Sequence, residues 1–180
     1  MKISIAIFAG GCFWCMQKVF DNVNGVIKTT VGYTGGKLKN PTYEKVSAGI
    51  GGHYEAIKIE YDPDKVSYEK LVKVFFQSID PTNPYGQFCD IGKQYETVIF
   101  YFNDREKEIA ERLKEKLNKA GITVYTKILP AGEFYKAEEY HQKYYSKYPD
   151  AYNYYYEQSG RKSMKETFKK IENILNGDFR

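Results

Sequence analysis

The sequence contains few of the residues that metal sites and disulfide-stapled folds need. Its 180 residues include three cysteines, two histidines and one tryptophan. An odd cysteine count in a chain without a secretory signal argues against a disulfide framework and favours thiols that are buried, metal-bound or reactive. A four-ligand zinc site would need Cys89 with His53 or His141, and the usual ligand spacing is missing. We therefore expect no metal.

Long apolar runs and a strong net charge are also missing. The longest apolar run covers residues 5–9, far short of a membrane span, and the first residues do not resemble a secretory signal. The net charge is +4, with basic and acidic residues interspersed, which is a weak signal for nucleic-acid binding. Because 42% of the residues are hydrophobic, the chain can bury a core. We expect a soluble cytoplasmic monomer that binds neither nucleic acid nor membrane.

Hydrophobic periodicity predicts alternating strands and helices. Predicted strands cover residues 3–9, 26–33, 54–61, 97–102 and 122–129. Predicted helices cover 13–21, a segment capped by Ser67 and ended by Pro81 and Pro84, a segment from Asn103 or Asp104 to Ala120, 138–147 and 164–175. Residues 37–53 and 81–94 are predicted loops. This pattern indicates an α+β fold in one domain, residues 1–180, with helices packed on a mixed sheet.

The sharpest local signal is Gly10-Gly11-Cys12-Phe13-Trp14-Cys15. A predicted strand runs through two glycines into a cysteine at the start of a helix. Unpaired N–H groups and the positive end of the helix dipole stabilise a thiolate there, which predicts a lowered pKa for Cys12. The glycines would allow a tight turn and close approach of a substrate. Trp14 is a candidate wall for an apolar group.

The same six residues allow other interpretations. Cys12 can be an inert buried cysteine, since cysteine is among the most frequently buried residue types. Cys12 and Cys15 have the spacing of a redox dithiol at a helix start. Both histidines are interpreted as structural, because neither has an orienting motif beside it. The segments around Tyr43, Glu55 and Asp90 carry only weak signals when taken alone.

Taken together, the motifs resemble the peptide methionine sulfoxide reductase A family over about residues 5–165. The matching blocks run in order along the chain: Gly-Cys12-Phe13-Trp14, Val31-Gly-Tyr-Thr-Gly-Gly36, Asn40-Pro-Thr-Tyr43-Glu-Lys-Val46, Gly52-His-Tyr-Glu55-Ala56, Tyr61-Asp-Pro63, Gln87-Phe-Cys-Asp90, Gln94-Tyr95, Pro130-Ala-Gly132, Phe134-Tyr135 and Ala137-Glu-Glu-Tyr-His-Gln142. So many blocks in this order are highly specific for the family.

The resemblance implies thiol-dependent reduction of methionine S-sulfoxide, free or in proteins, and a two-layer ferredoxin-like core with extensive coil. It implies no bound cofactor and an external dithiol reductant such as thioredoxin. Residue by residue, it makes Cys12 the nucleophile, Glu55 the acid that protonates the sulfoxide oxygen, and Tyr43 and Tyr95 donors to that oxygen. Asp90 would help to arrange the polar side of the site. Phe13 and Trp14 would form the pocket for the substrate methyl group.

Two departures from the family pattern limit this transfer. Many members carry Glu where this chain has Gln17, so an ionic role there is missing. The last residues, 176–180, contain no cysteine, so a resolving thiol on the tail is excluded. The thiol that reacts with a sulfenic acid on Cys12 must then be Cys15, Cys89 or one from another molecule. We slightly favour Cys15.

Two other functions compete with sulfoxide reduction. A thioredoxin-like disulfide oxidoreductase would rest on Cys12-x-x-Cys15 alone and would leave Glu55, Tyr43 and Tyr95 unexplained. A module that only binds methionine or peptides would show affinity for sulfoxide without consuming thiols. The presence of both Cys12 and Glu55 favours the enzyme.

Tyrosine is unusually abundant, at 18 residues, and nine of them lie between Tyr135 and Tyr156. We predict that this cluster belongs to a C-terminal segment, about residues 135–180, that wraps the domain with amphipathic rings. Its hydroxyls are expected to reach water or backbone, and Tyr135 is the first candidate to border the substrate groove.

Overall fold

The structure is a computed structural model that describes residues 1–177. The predicted C-terminal wrap extends to residue 180, so its last three residues lie outside the described residues. Residues 1–177 form eight strands: β1 Ser4–Gly10, β2 Val26–Thr34, β3 Tyr54–Tyr61, β4 Gly86–Gln87, β5 Asp90–Ile91, β6 Thr97–Tyr101, β7 Lys127–Pro130 and β8 Phe134–Lys136.

Seven α-helices accompany the strands within the described part of the chain. They are α1 Phe13–Asp21, α2 Tyr43–Ser47, α3 Tyr68–Phe76, α4 Asp104–Lys119, α5 Tyr144–Lys147, α6 Pro149–Gln158 and α7 Lys165–Asn176. Side chains of Thr42, Ser67 and Asn103 cap α2, α3 and α4 by accepting hydrogen bonds from backbone N–H groups. Three short 3₁₀ turns cover Lys93–Tyr95, Glu139–His141 and Arg161–Met164.

Six strands form one mixed sheet in the order β7-β6-β1-β3-β2-β8. Strands β6 and β7 are parallel, and the other neighbouring pairs are antiparallel. The predicted α+β class with a mixed sheet is confirmed. The ferredoxin-like classification of its core stays a prediction.

Side chains alternate between two differently covered faces of the sheet. Ala6 and Phe8 of β1 join the large core beneath α1, α3, α4 and α7. Ile7 and Ala9 point to the opposite face, where they form a smaller cluster with Val98 and Phe100 of β6, against which Leu129, Ala131 and Phe134 pack. Helices therefore cover the face with the large core, and the other face carries a smaller apolar cluster.

The sequence predictions hold best where the periodicity is strong and local. The bounds of α1 and β3 are confirmed as predicted, and β1, β2, β6 and α4 differ by one or two residues. The predicted strand over 122–129 is wrong in its first half. Ile122 and Val124 are buried, but that segment reaches the helical core without joining the sheet, and pairing begins at Lys127.

The predicted helix over 138–147 is wrong in its first part, since within that range the α-helix covers Tyr144–Lys147. The chain forms a 3₁₀ turn and then α5, separated by Lys143 in the left-handed region at φ 57°. Tertiary hydrogen bonds fix this break: the Lys143 N–H donates to Gln17 Oε1 at 2.7 Å, and Gln142 bonds the backbone N–H and C=O of Val31. The sequence also gave no sign of α2, α6 or β8.

None of the helices in residues 1–177 combines the length and the apolar character needed to cross a membrane.

Candidate active site

Cys12 lies in the turn between β1 and α1, where the backbone geometry requires glycine. Gly11 has φ 81°, and a Cβ on it would lie only 2.6 Å from Gln87 Cβ. The predicted tight turn is confirmed. The prediction that the glycines admit a substrate needs correction at Gly11, because its bare face is filled by the buried side chain of Gln87.

A cleft of about 190 Å³ opens at this turn, and we call it the Cys12 cleft. Its lining consists of Cys12, Phe13, Trp14, Tyr43, Glu55, Asp90, Tyr95 and Tyr155. The first seven are all of the catalytic and substrate-binding residues predicted from the sequence. They come from separate segments of the chain and are brought together here. Tyr155, on α6, was not predicted.

Glu55 forms the acidic end of the cleft. It lies in β3, is 3% exposed, and accepts a hydrogen bond from the Phe13 N–H at 3.3 Å. Burial raises the pKa of Glu55 to about 8, with a further contribution from the negative charges of Asp90 and Cys15, against the opposing effect of the Phe13 bond. The carboxyl group is therefore mostly protonated at neutral pH and can donate a proton.

Asp90 is the second carboxyl group of the cleft. Burial raises its pKa, while the Tyr155 hydroxyl, which donates to Asp90 Oδ2, and the charge of Arg161 act in the opposite direction. The sequence indicated only that tyrosines are abundant around position 155. No motif linked Tyr155 to Asp90, because the pair depends on how α6 packs against the β4–β5 hairpin.

Tyr43 and Tyr95 contribute phenol groups to the cleft from two separate segments of the chain. Tyr43 begins α2, and its backbone N–H is held by Glu138 at 2.9 Å. Tyr95 ends the 3₁₀ turn that follows β5. Burial raises the pKa of both phenols, and the charge of Glu55 adds to the effect. Both groups consequently stay protonated and available as hydrogen-bond donors.

The ring of Trp14 forms a fixed aromatic wall. Its Nε1 donates to His141 Nδ1 at 3.0 Å, and its ring stacks on Tyr144 with centroids 3.8 Å apart and planes 7° apart. Phe13 packs against His141 at a centroid distance of 5.1 Å. Burial lowers the pKa of His141 and so favours the neutral ring that accepts from Trp14. His141 thus supports the wall.

The second histidine holds a loop. His53 Nδ1 accepts from the Gly36 N–H at 3.1 Å, and its Nε2 lies 2.6 Å from the Leu38 carbonyl oxygen. Tyr135, which was expected to border the groove, packs edge-on against His53 with centroids 5.6 Å apart and does not line the Cys12 cleft. Tyr155 occupies the cleft instead.

The two thiols of α1 have opposite protonation tendencies. Burial, a hydrogen bond shared with Cys15 and the negative charges of Cys15, Glu55 and Asp90 raise the pKa of Cys12. The prediction of a lowered Cys12 pKa is therefore wrong for this state: burial and nearby negative charges outweigh the helix terminus, whose first N–H donates to Glu55.

The pKa of Cys15 is lowered to about 7. The hydrogen bond from the Cys12 thiol has the largest effect, and the charge of Arg161 and the Tyr152 hydroxyl contribute, against the cost of burial. The Tyr152 hydroxyl lies 3.4 Å from Cys15 Sγ. Cys15 therefore loses the first proton of the pair.

Cys15 also lines a second cavity, of about 360 Å³, which we call the Cys15 cavity. Its lining consists of Cys15, Lys18, Val19, Asn22, Gln77, Ser78, Tyr152, Tyr156, Arg161 and Phe168. The two thiols thus line different spaces, Cys12 the cleft and Cys15 the cavity.

Cys89 is placed differently from the other two thiols. It is exposed, in the two-residue turn between β4 and β5, and it lines neither the cleft nor the cavity. Partial burial and the charge of Asp90 raise its pKa. All three cysteines are free.

Gln17, at the position where the resemblance leads one to expect Glu, is fully buried. Its Nε2 donates to Thr29 Oγ1 at 3.1 Å, and its Oε1 accepts from the Lys143 N–H at 2.7 Å. An amide satisfies a donor and an acceptor at once, so Gln17 joins α1, β2 and the C-terminal wrap without a charge.

Within the described residues, no group of three or more His, Cys, Asp or Glu side chains is placed to hold a metal ion.

Comparison with known proteins identifies the family. The model of the family described as "Peptide methionine sulfoxide reductase" matches residues 4–172. A relative from Bacillus licheniformis, named peptide methionine sulfoxide reductase MsrA, is 51% identical over 166 residues, which cover 91% of this chain and 92% of the relative.

Two solved structures from Saccharomyces cerevisiae have the same fold. Reduced Mxr1 is 32% identical, with a TM-score of 0.77, over 83% of this chain and 87% of Mxr1. Mxr1 in complex with Trx2 is 25% identical, with a TM-score of 0.56, over 79% of this chain and 85% of that chain. The family predicted from the motifs is confirmed. The chain therefore belongs to the peptide methionine sulfoxide reductase family and is an oxidoreductase that reduces methionine sulfoxide.

Proposed function

We propose that the Cys12 cleft reduces the S epimer of methionine sulfoxide, free or in proteins, through a sulfenic acid on Cys12. The observation that carries this assignment is the placement of the Cys12 thiol and the buried Glu55 carboxyl, with its pKa of about 8, in one small cleft. A sulfoxide oxygen leaves readily only once it is protonated, so the reaction needs a nucleophile and an acid at one sulfur atom.

The first step begins with the hydrogen bond between the thiols. At neutral pH Cys15 is partly ionised, and the Cys12 proton moves along this bond to Cys15, leaving a thiolate on Cys12. This thiolate attacks the sulfoxide sulfur while Glu55 gives its proton to the oxygen. The S–O bond breaks and the oxygen leaves as hydroxide. The hydroxide bonds to Cys12 Sγ, the bond between Cys12 and the substrate sulfur breaks, and methionine leaves with Cys12 as the sulfenic acid.

The phenols and the aromatic wall position the substrate. Tyr43 and Tyr95 donate hydrogen bonds to the sulfoxide oxygen and stabilise the charge that develops on it, in the manner of an oxyanion hole. Phe13 and Trp14 hold the methyl group of the substrate. Asp90, bonded to Tyr155, keeps the polar side of the cleft in place.

Cys15 is proposed as the resolving thiol. It attacks the Cys12 sulfenic acid, water leaves, and a disulfide joins the two cysteines. The hydrogen bond between the thiols and the lowered pKa of Cys15 support this choice. Cys89 is exposed, has a raised pKa and lies outside the cleft, which argues against it.

A thioredoxin-like protein is proposed as the reductant, because the related Mxr1 has been solved in complex with Trx2. No bound cofactor is needed, since the electrons come from thiols. The chain would act as a monomer and a single domain in the cytoplasm, repair oxidised methionine under oxidative stress, and bind neither nucleic acid nor membrane.

The test is incubation with each epimer of methionine sulfoxide and excess dithiothreitol, followed by measurement of methionine. We expect methionine from the S epimer and none above background from the R epimer. The absence of methionine from the S epimer would overturn the proposal, and disulfide reduction as the sole activity would favour a thioredoxin-like oxidoreductase.

A further inference from the structure

The Cys15 cavity contains a buried cation that does not line the Cys12 cleft. Arg161 is 4% exposed, in the 3₁₀ turn before α7. Its Nη1 donates to the Ser78 carbonyl oxygen at 3.3 Å, and its guanidinium lies over the Phe88 ring at 4.2 Å. Its Nε and Nη2 are buried without a hydrogen-bond partner in the described part of the protein. A buried charge left unpaired is costly, so these N–H groups indicate an anionic partner.

The negative charges of both thiols act on the guanidinium of Arg161. A Cβ built on Gly11, the residue before Cys12, would be 3.8 Å from Arg161 Nη2. Arg161 and Cys15 line the same cavity, and the charge of each acts on the other. Lys18, which is exposed, adds a second positive charge to the cavity lining. The cavity volume of about 360 Å³ is in the range of small-molecule sites.

We propose that the Cys15 cavity admits the thiolate of the reducing dithiol, which attacks Cys15 from the side opposite the Cys12 cleft, with Arg161 and Lys18 attracting its negative charge. The inference rests on the proposed Cys12–Cys15 disulfide. Substrate and reductant would then reach the thiol pair by different routes.

The proposed reduction is a thiol–disulfide exchange in two steps. The incoming thiolate bonds to Cys15 Sγ, the Cys12–Cys15 bond breaks, and Cys12 leaves as a thiolate. The second thiol of the dithiol loses its proton to Cys12 and attacks the sulfur of the reductant in the mixed disulfide. Cys15 leaves as a thiolate beside Arg161 and the Tyr152 hydroxyl. The dithiol is oxidised to a disulfide, and the enzyme disulfide is reduced by two electrons.

The experiment measures the two halves of the cycle separately, in a Cys89→Ser background. Asn22, exposed on the cavity lining, is replaced by Trp to narrow the opening, and Asn24→Trp, also exposed but outside this cavity, is the matched control. Oxidised enzyme is mixed with dithiothreitol or with reduced thioredoxin, and the loss of the disulfide is followed by alkylation and mass spectrometry. Reduced enzyme is mixed with one equivalent of S-sulfoxide, and methionine is measured.

We expect Asn22→Trp to slow reduction of the disulfide by about tenfold or more, while Asn24→Trp does not. Both variants should form methionine at the parental single-turnover rate. Slowing with dithiothreitol alone would assign the route to small dithiols, and slowing with both reductants would assign it to thioredoxin as well. Equal rates for the two variants with both reductants would overturn the proposal.

A charge reversal tests the attraction directly. Lys18→Glu should slow disulfide reduction about threefold to tenfold at low salt, and the effect should shrink in about 1 M salt. Lys39→Glu, an exposed change of the same charge elsewhere, should have no effect. A Lys18→Glu effect that is the same at both salt concentrations would contradict an electrostatic role.

The proposed function can fail independently of this route. If the S epimer gives no methionine in a single turnover, the proposed function fails. If methionine forms and no Cys12–Cys15 disulfide appears, sulfoxide reduction stands and the cavity route is overturned.

Discussion

The Cys12 cleft and the Cys15 cavity lie on either side of one helical turn and differ in charge. The cleft holds two carboxyl groups, Glu55 and Asp90, which oppose ionisation of the Cys12 thiol. The cavity holds Arg161 and Lys18, and Arg161 favours ionisation of Cys15. Two thiols three residues apart therefore have opposite protonation tendencies, since the pKa of Cys12 is raised and that of Cys15 is lowered to about 7.

The largest effect is expected from removing the thiol of the Cys12 cleft. Cys12→Ser should reduce methionine formation to background, because a hydroxyl cannot replace the thiol as the nucleophile. Methionine formation with dithiothreitol is the measurement, and circular dichroism should show an unchanged fold. Activity above background in a folded Cys12→Ser protein would remove Cys12 from its role.

The next largest effect is expected from removing Cys15, the proposed resolving thiol in the Cys15 cavity. Cys15→Ser should stop turnover with thioredoxin while leaving one equivalent of methionine per enzyme, since the sulfenic acid would form without a partner thiol. Cys89→Ser is the matched control and should turn over at the parental rate. If Cys89→Ser stops turnover and Cys15→Ser does not, the resolving assignment is reversed.

The acid of the cleft is tested by Glu55→Gln, which should slow the first step about 10²–10⁴-fold, the usual value of general acid catalysis. Glu60→Gln on the same strand is the control. In the parental protein the acid is protonated below its pKa of about 8, so its contribution should be full at lower pH and decline as the pH rises through that value. Single-turnover rates against pH measure this, and a decline of the same size in Glu55→Gln would assign it to another group.

Among the residues of the Cys12 cleft, the phenols have the smallest expected effects. Tyr43→Phe and Tyr95→Phe should each slow the first step about 10- to 100-fold, the loss of one hydrogen bond to a charged group. Tyr154→Phe, which is 72% exposed, is the control and should keep the parental rate. Single-turnover methionine formation measures all three, and a parental rate in either cleft variant would show that its hydroxyl does not donate in the transition state.

Local sequence patterns predicted most of the sheet and singled out Cys12 and Trp14, whereas the other residues of the cleft were predicted from the family resemblance. The helix 13–21 and the strand 54–61 were predictable because their periodicity comes from packing on one core. The break at Lys143 was not, because the bonds from Lys143 to Gln17 and from Gln142 to Val31 join segments that are far apart in sequence and override local helix preference. The prediction of a lowered Cys12 pKa was wrong for a similar reason. The helix terminus could be predicted from the local sequence, whereas the burial and the nearby carboxyl groups that raise the pKa depend on the fold.

The contacts of the C-terminal tyrosines could likewise not be predicted from the local sequence. The sequence predicted a wrap whose hydroxyls reach water or backbone. In the structure, the Tyr145 hydroxyl donates to Asp21, that of Tyr152 reaches Cys15, and that of Tyr155 reaches Asp90. Composition showed that the segment is aromatic, but only the fold shows which rings enter the site.

The position of the wrap along the chain has a consequence for synthesis. A ribosome releases β1, β3 and the β4–β5 hairpin, with Cys12, Glu55 and Asp90, before it releases His141, Tyr152, Tyr155 and Arg161. A nascent chain can therefore assemble most of its sheet while both thiols of α1 are still uncovered and Trp14 lacks its partners. The thiol pair acquires its contact with Tyr152 and the charge of Arg161 only when the last quarter of the protein folds, so a prematurely terminated chain would carry more exposed thiols.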